Sequence, residues 1–338
     1  MERKLASIRI IDEIRPHTNA DSFELAIVGG WQTVVKKGEF KAGDHVVYFE
    51  VDSVLPVRPE YEFLRKCCYV RKAWVEGFRL KTIKLRGELS QGLITAIPGG
   101  FVTFEGRDIT EALGVVKWDP PVPAQLSGQV KGNFPAFIPK TDQERVQNLH
   151  REVTEAHANR DLFEVTIKLD GTSFTAYHHD GQVGVCSRNL EIKINDENKD
   201  NTYVKLFVDS GLADYLLTQK LNIAVQGELM GPGVQGNREK LSEATLFVFD
   251  IFNIDEQRYL TPIEREHLFI RIYANTKNVH HVMVLHKAIE LPSTISEILK
   301  MAEGPSVVNE VREGIVFKRL DGKFSFKAIS NEFLLSEK

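Results

Sequence analysis

Cysteine is scarce. The 338-residue chain has three: Cys67, Cys68 and Cys186. The first two are adjacent and poorly placed to bridge each other, and an odd count leaves one over. No disulfide framework is implied, and a reducing compartment is expected. Long apolar runs are also missing. No stretch approaches the roughly 18–20 uninterrupted apolar residues that a membrane span needs. Met1-Glu2-Arg3-Lys4 leads into a mixed segment and not into the apolar core of a secretion signal. A soluble, intracellular protein with no membrane partner is the expectation. There is no low-complexity tract and no fixed-period repeat. A strong charge of either sign is absent: the formal net charge is -4, which taken alone argues mildly against a grip on nucleic acid. What is there is globular. Hydrophobic residues at 42% and charged residues at 27% exclude a disordered or fibrous chain. The length suits two domains better than one core.

The distribution of charge is more informative than its sum. Residues 1–118 hold 18 Lys+Arg and 16 Asp+Glu, a net of +2; the remainder holds 25 and 31, a net of -6. Within the first part, residues 65–86 carry eight basic side chains, Arg65, Lys66, Arg71, Lys72, Arg79, Lys81, Lys84 and Arg86, against one acid, Glu76. Tyr69, Trp74 and Phe78 are interleaved with them. Cationic groups neutralise phosphates and aromatic faces stack on bases, so Arg65, Lys66, Arg71, Lys72, Arg79 and Lys81 are candidates to bind RNA. The plain alternative is a solvated basic loop and strand.

Residues 1–118 read mostly as strands: Phe23–Val28, Trp31–Val35, His45–Val51, Phe78–Leu85 and Gly92–Ile97, separated by turn signals such as Gly29-Gly30 and Gly43-Asp44. Five or six short strands in this length suggest a small barrel. Asp108 to Gly114 reads as a short helix with Asp108 as cap. Residues 119–139 form the expected linker, since Asp119-Pro120-Pro121-Val122-Pro123 suits neither a helix nor a central strand. Asp142–His150 reads as a helix capped by Thr141. From Arg160 onward strands and helices alternate irregularly. Phe163–Lys168, Ser173–His178, Gly184–Ser187, Ile223–Glu228, Leu246–Phe252 and Gly314–Arg319 look like strands. Tyr203–Ser210, Ala213–Lys220, Ile263–Asn275 and Ile295–Ala302 look helical.

The chemistry-bearing residues sit at strand ends. Lys168-Leu169-Asp170-Gly171 follows the strand Glu164-Val165-Thr166-Ile167, so the lysine projects into whatever cleft the turn borders. A lysine becomes nucleophilic when nearby cations or burial lower its pKa. The spacing Lys-x-Asp-Gly is weak by itself, and a salt-bridged surface turn is its plain alternative. Downstream stand Ser187-Arg188, then Glu228 in Gln226-Gly227-Glu228-Leu229, then Phe249-Asp250. Glu313-Gly314-Ile315-Val316-Phe317-Lys318 and Phe326-Lys327 close the series. Glu228 and Glu313 each adjoin a glycine in or beside an apolar strand, where a carboxylate is costly unless paired. Phe249 lies in an apolar strand where an aromatic is also ordinary core, and Phe247 competes with it. His178-His179 and His280-His281 lack metal spacing and read as surface or strand residues.

This ordered series resembles the motifs of the covalent nucleotidyltransferases, the polynucleotide ligases and capping enzymes. Within them it is most similar to ATP-dependent RNA ligases of the fifth family, of Naegleria and Deinococcus type. Pro16-His17-Thr18-Asn19-Ala20-Asp21, Gly43 to Tyr48 and Leu89 to Leu93 resemble that family's N-terminal OB-type module, and Phe137 to Asp142 its catalytic lead-in. The resemblance implies an α+β protein. An OB-type β-barrel over 1–118 and a linker over 119–139 precede a nucleotidyltransferase domain, ATP-grasp-like with two sheets, over 140–338. It implies ATP and two Mg2+ or Mn2+ ions as cofactors. The partner is RNA with 3′-OH and 5′-phosphate ends, chiefly at nicks in duplexes, and the protein acts as a monomer. Lys168 is the implied nucleophile, with Lys318 and Lys327 on the α-phosphate. Asp170, Glu228 and Glu313 are the implied metal carboxylates. Thr166, Ile167, Gly171, Arg188 and Phe249 complete the nucleotide site, Glu228 on the ribose and Phe249 on the adenine. Two positions depart from the family pattern: Ile329 stands where a second lysine usually follows Lys327, and Ile167 where many relatives have an acid. A capping guanylyltransferase, a DNA ligase and a non-catalytic RNA-binding protein are the competing readings.

Overall fold

The computed structural model describes residues 3–72, 74–118 and 128–336. The chain forms two compact units, residues 1–121 with 334–338, and residues 122–333. The proline-rich part of the expected linker, residues 119–127, lies outside the described residues.

The first unit contains strands β1 (Ala6–Ile10), β2 (Glu13–Pro16), β3 (Phe23–Val28), β4 (Trp31–Lys36), β5 (His45–Phe49) and β6 (Ser53–Leu55). After helix α1 (Arg65–Cys68) come β7 (Tyr69–Lys72), β8 (Val75–Arg79), β9 (Thr82–Leu85), β10 (Glu88–Gln91), β11 (Leu93–Thr95) and β12 (Val116–Lys117). They pair as β1-β5-β11, β2-β3-β4, β12-β6-β8-β7 and β10-β9. Strand β5 shows why the unit holds together. Its side chains alternate, so Val47 and Phe49 enter one apolar core with Ile8, Leu55 and Phe78, while Val46 and Tyr48 enter a second with Trp31, Ala26 and Ile94. A strand buried on both faces needs apolar residues at every position, and Val46-Val47-Tyr48-Phe49 supplies them.

Two expectations change here. Phe78–Leu85 is not one strand: β8 ends at Arg79 and β9 starts at Thr82, because Leu80 turns inward and is buried. Asp108 to Gly114 is a turn and not a helix. The Asp108 carboxylate does accept from the Thr110 amide (2.9 Å), but Gly114 at φ 68° stops the chain after a single Ile109–Leu113 helical bond.

The second unit has two sheets. The larger contains β13 (Val130–Asn133), β15 (Thr172–His179), β16 (Gln182–Cys186), β17 (Leu190–Ile192), β18 (Ile223–Met230), β19 (Thr245–Asn253) and β20 (Arg258–Tyr259), in the order β13-β17-β16-β15-β18-β19-β20. Strand β21 (Val279–His281) adds to β19 in parallel. The smaller sheet runs β22-β14-β23-β24, from β14 (Leu162–Lys168), β22 (Val284–Glu290), β23 (Gly314–Arg319) and β24 (Ser325–Ile329). Helices α3 (Thr202–Asp209), α4 (Leu212–Leu217) and α5 (Pro262–Asn275) share the core of the larger sheet through Phe207, Leu216 and Ile272. Helices α2 (His150–Ala158) and α6 (Ile295–Met301) cover the smaller one through Val153 and Ile298. The protein is α+β.

Strand β13 pairs with β17, so residues 130–133 belong to the larger sheet and not to a linker. The helix expected over Asp142–His150 is also absent. Residues 142–144 form no regular element, Arg145 is an isolated bridge residue with extended dihedrals, a 3-10 turn follows at Val146–Asn148, and α2 starts only at His150. The reason is lateral bonding. Thr141 Oγ1 meets Ser173 Oγ (2.7 Å), Gln143 Oε1 accepts from Ser325 Oγ (2.7 Å), and the Lys327 amide donates to the Glu144 carbonyl (2.8 Å). These bonds tie the segment to its neighbours where local pattern favours a turn of helix.

Candidate active site

Alternation along the smaller sheet sets the site. In register, Lys168 faces Gly314, Thr166 faces Val316 and Glu164 faces Lys318; Val316 in turn faces Lys327 and Lys318 faces Ser325. Opposed residues share a face, so Glu164, Thr166, Lys168, Lys318 and Lys327 are on the same face of the sheet. The other face, with Phe163, Val165, Ile315, Phe317, Phe326 and Ala328, is core against α2 and α6.

Lys168 Nζ donates to Glu313 Oε2 at 2.6 Å, and both side chains are largely buried. Burial pulls the amine pKa down, but Glu313, Glu228 and Asp170 together outweigh it and hold the amine above its ordinary value. The expectation that surrounding cations favour the free amine is therefore corrected: here Lys168 sits among carboxylates and is protonated at neutral pH. Glu228 is pushed up to about 7, first by burial, with Glu313 and Asp170 adding to the rise and Lys168 and the Gly171 amide opposing it. That amide donates to Glu228 Oε1 at 3.2 Å. The approach needs glycine at 171, since a Cβ would lie 2.6 Å from the Leu229 carbonyl and 2.9 Å from Glu228 Cγ. Gly314 is equally constrained: a Cβ there would lie 2.2 Å from the Ala328 carbonyl, so the residue after Glu313 has no room for a side chain.

Lys327 joins this group. Its pKa is lowered to about 8, chiefly by burial and then by Lys168 and Arg145. Arg145 makes a parallel bridge with Lys327, and no sequence signal singled it out. Arg188 is exposed and paired with Asp142 on the same segment as Arg145 (2.6 Å), and Asp142 in turn acts electrostatically on Lys327.

Lys318 goes elsewhere. Its amine bonds the Phe249 carbonyl and lies 2.8 Å from Asp250 Oδ1. Arg265, fully buried, pairs with Glu164, lies 3.6 Å from Asp250 and donates to His281 Nε2 (3.1 Å). Burial lowers the Lys318 pKa to about 8 and that of His281 to about 4. The structure thus separates Lys318 from Lys327 and makes it part of a buried ionic network joining β14, β19, β23 and α5. Phe249 is the extra residue of a bulge: Gln226 faces Asp250 and Gly227 faces Val248, so Phe249 has no opposite residue on β18. Phe247 and Phe249 both border a cluster with Ile167, Leu169, Met230 and Val282. Thr166 is buried and its hydroxyl has no hydrogen-bond partner.

Among the described residues no three His, Cys, Asp or Glu side chains gather to hold a metal ion by themselves. Asp170, Glu228 and Glu313 act on Lys168 without forming a closed cage. Such an open set fits a Mg2+-like ion, which takes one or two carboxylates, keeps waters and completes its shell with substrate phosphates. No helix among the described residues is long and apolar enough to cross a membrane.

In the first unit, Lys66, Arg71, Lys72 and Lys81 are exposed. Arg65 pairs with Glu62 (2.5 Å) and Arg79 with Asp52 (3.0 Å), so these two are partly committed within the fold. Phe78 is buried core.

The chain thus combines a strand-rich module with a two-sheet domain whose floor carries a lysine, three carboxylates and a second lysine. Family models give the class: an OB-fold domain matches residues 5–97 and an RNA ligase domain residues 161–329. The chain belongs to the RNA ligase family. Its structure is similar to Naegleria gruberi RNA ligase in several states. The complex with pyrophosphate has 46% identity, 98% coverage of both chains and a TM-score of 0.84. A lysine-to-methionine variant with AMP and manganese has 45% identity, 99% coverage of both chains and a TM-score of 0.86. A glutamate-to-alanine variant with ATP and manganese has 45% identity, 99% coverage of both chains and a TM-score of 0.84. A comparison with curated proteins found no match.

Proposed function

We propose that this RNA ligase uses ATP to join RNA 3′-OH and 5′-phosphate ends, chiefly at nicks in duplexes, through an adenylate carried on Lys168, and that it acts as a monomer. The observation that carries the reading is the Lys168 amine at the end of β14, bonded to Glu313 and within the field of Glu228, Asp170 and Lys327. The similar Naegleria structures hold ATP, AMP, pyrophosphate and manganese, which supports the same co-substrate and a divalent ion here.

Lys168 Nζ attacks the α-phosphorus of ATP; a P–N bond forms and pyrophosphate leaves. An oxygen of the RNA 5′-phosphate then takes the adenylyl group and frees the amine. The RNA 3′-OH attacks the activated phosphorus, a phosphodiester forms and AMP leaves. Lys327 spreads the charge on the α-phosphate in each step. Glu313 holds the amine in place through its hydrogen bond. Glu228 takes a ribose hydroxyl. Thr166, whose buried hydroxyl has no partner, reads the adenine with the backbone at Ile167 and Gly171, while Phe249 stacks on it. Lys318 fixes Phe249 through its carbonyl. Arg188 supports the phosphates from the Asp142 segment. One or two Mg2+ or Mn2+ ions, held by Asp170, Glu228 and Glu313, supply charge neutralisation at the phosphates and favour the free amine. The OB-fold module grips RNA through its basic segment.

The test is ATP or GTP labelled on the α-phosphate, given with magnesium to the protein and to Lys168→Ala. Label from ATP, lost in the variant, is expected. Label from GTP alone points to a capping activity, and no label to a binding protein. Sealing of all-DNA nicks as fast as nicks with an RNA 3′-OH strand would contradict the substrate.

A further inference from the structure

The indoles of Trp74 and Trp118 come from distant parts of the first unit and meet with centroids 5.1 Å apart and planes at 46°. Trp74 lies in the turn between β7 and β8, after Lys72, and is 44% exposed. Trp118 follows Lys117 at the end of β12, and its amide is bonded to the Asp52 carbonyl (2.8 Å). The Arg79 guanidinium sits 4.5 Å from the Trp118 ring centroid and is held there by Asp52 at 3.0 Å. The surroundings are cationic. Lys72, two residues before Trp74, and Lys117, one before Trp118, are exposed, and Arg71 has a side chain 77% exposed with only a loose 3.9 Å approach to Glu76.

A core does not need this arrangement. A large indole in a hairpin turn, almost half in water, contributes little burial for its size. Its partner ring is backed by a guanidinium, which leaves the exposed indole as an extra aromatic face beside positive charge. Nucleobases bind such faces: stacking holds a base without sequence preference, and adjacent cations take the phosphates. The faces of paired bases are hidden in a helical stack, so only an unpaired base can use the platform.

We infer that the Trp74–Trp118 pair is a stacking platform for one unpaired nucleobase of the RNA strand whose phosphates are held by Arg71, Lys72 and Lys117. The inference rests on the assignment of RNA to the basic segment and adds to it a substrate feature: an unpaired or frayed base flanking the nick. Arg79 is a positioning residue here. It carries Trp118 and is not itself a phosphate ligand.

The experiment uses the full chain, a 5′-phosphorylated single-stranded oligoribonucleotide, and a blunt RNA duplex of the same sequence. Trp74→Ala is expected to weaken single-strand binding about tenfold, with Trp74→Phe recovering most of it, and to leave duplex binding unchanged. Indole fluorescence of the unsubstituted protein falls on adding the single strand. The salt dependence of binding stays the same in Trp74→Ala, because stacking releases no counterions, whereas it flattens in Arg71→Ala with Lys72→Ala. Unchanged single-strand affinity in Trp74→Ala, with weaker binding in the Arg71/Lys72 variant, overturns the platform and leaves the basic-segment reading standing. Full affinity in both variants overturns both. Equal weakening on the duplex also overturns the platform. Trp74 is at a turn, and an unaltered melting temperature separates loss of stacking from loss of fold.

Discussion

The Lys168 amine lies 2.6 Å from the Glu313 carboxylate, an ion pair that holds the lysine as an ammonium ion. Its pKa stands above the ordinary value although burial alone pulls it down. On the proposed mechanism this amine is stored protonated and must lose a proton before it attacks.

Glu313→Gln is expected to lower the Lys168 pKa by removing its nearest charge. In the absence of nucleotide, Lys168 of the variant should react faster with a small amine-acylating reagent at pH 8. Adenylylation from ATP and magnesium should nevertheless fall by about 10²-fold or more, because the amine loses its orientation. Mass mapping of the acylated lysine and single-turnover adenylylation check the two halves. An unchanged acylation rate would mean that Glu313 does not control the amine.

Glu228→Gln tests the cost of the site. The folded pKa of Glu228 is raised to about 7 from 4.5. A raised folded value means that its stabilising contribution is present below the unfolded pKa and is lost as pH rises through 7. Glutamine has no charge to bury, so the variant should match the parent near pH 4.5 and exceed it at pH 8. The gain is roughly 1–3 kcal/mol, towards the lower end because solvent and Lys168 reach the carboxylate. Urea unfolding at several pH values measures it, and a gain independent of pH contradicts the raised pKa.

Lys327 should set the alkaline limit of adenylylation. Its pKa is lowered to about 8, so its positive charge is present below that pH and fades above it. The adenylylation rate is expected to rise with pH as Lys168 deprotonates and then to level or fall above about pH 8. Lys327→Arg keeps its charge through pH 9 and should remove the fall, while Lys327→Ala should cost about 10²–10³-fold at any pH.

The buried network around Arg265 predicts a stability effect. Arg265→Ala leaves Glu164 and Asp250 buried with fewer partners, at a cost of about 3–5 kcal/mol in urea unfolding. Arg265→Met with Glu164→Met removes charge and counter-charge together and should recover much of that loss. Equal loss in both variants would show that the network's charges are not what couples the two sheets.

Arg71→Ala with Lys72→Ala should weaken RNA binding and reduce the slope of log K against log salt by about 0.7 for each phosphate that is no longer neutralised. Lysine adenylylation, which involves no RNA, should be spared. A parallel fall in adenylylation contradicts the division of labour between the two units.

The sequence by itself determined the strands that carry chemistry. The apolar alternation before Lys168 and around Glu313-Gly314 marked β14 and β23, with β23 in its observed limits, because buried strands need β-branched and aromatic residues at fixed spacing. The ordered series of Lys168, Asp170, Glu228, Phe249, Glu313 and Lys327 was legible as a family resemblance, and the structure brings Lys168, Asp170, Glu228, Glu313 and Lys327 into one electrostatic group. The total charge of -4 hid an uneven distribution, with eight basic side chains between Arg65 and Arg86. Tertiary structure decided the rest. Only strand register put Lys327 beside Lys168 and sent Lys318 to Asp250. Only lateral hydrogen bonds to neighbouring strands took Asp142–Arg145 out of the expected helix and placed Arg145 in a bridge with Lys327. Only the approach of β12 to the β7–β8 turn joined Trp74 to Trp118. Local pattern reports the face a residue occupies, whereas the charge state of Lys168 and the pairing of two indoles depend on neighbours far away in the chain, which periodicity does not encode.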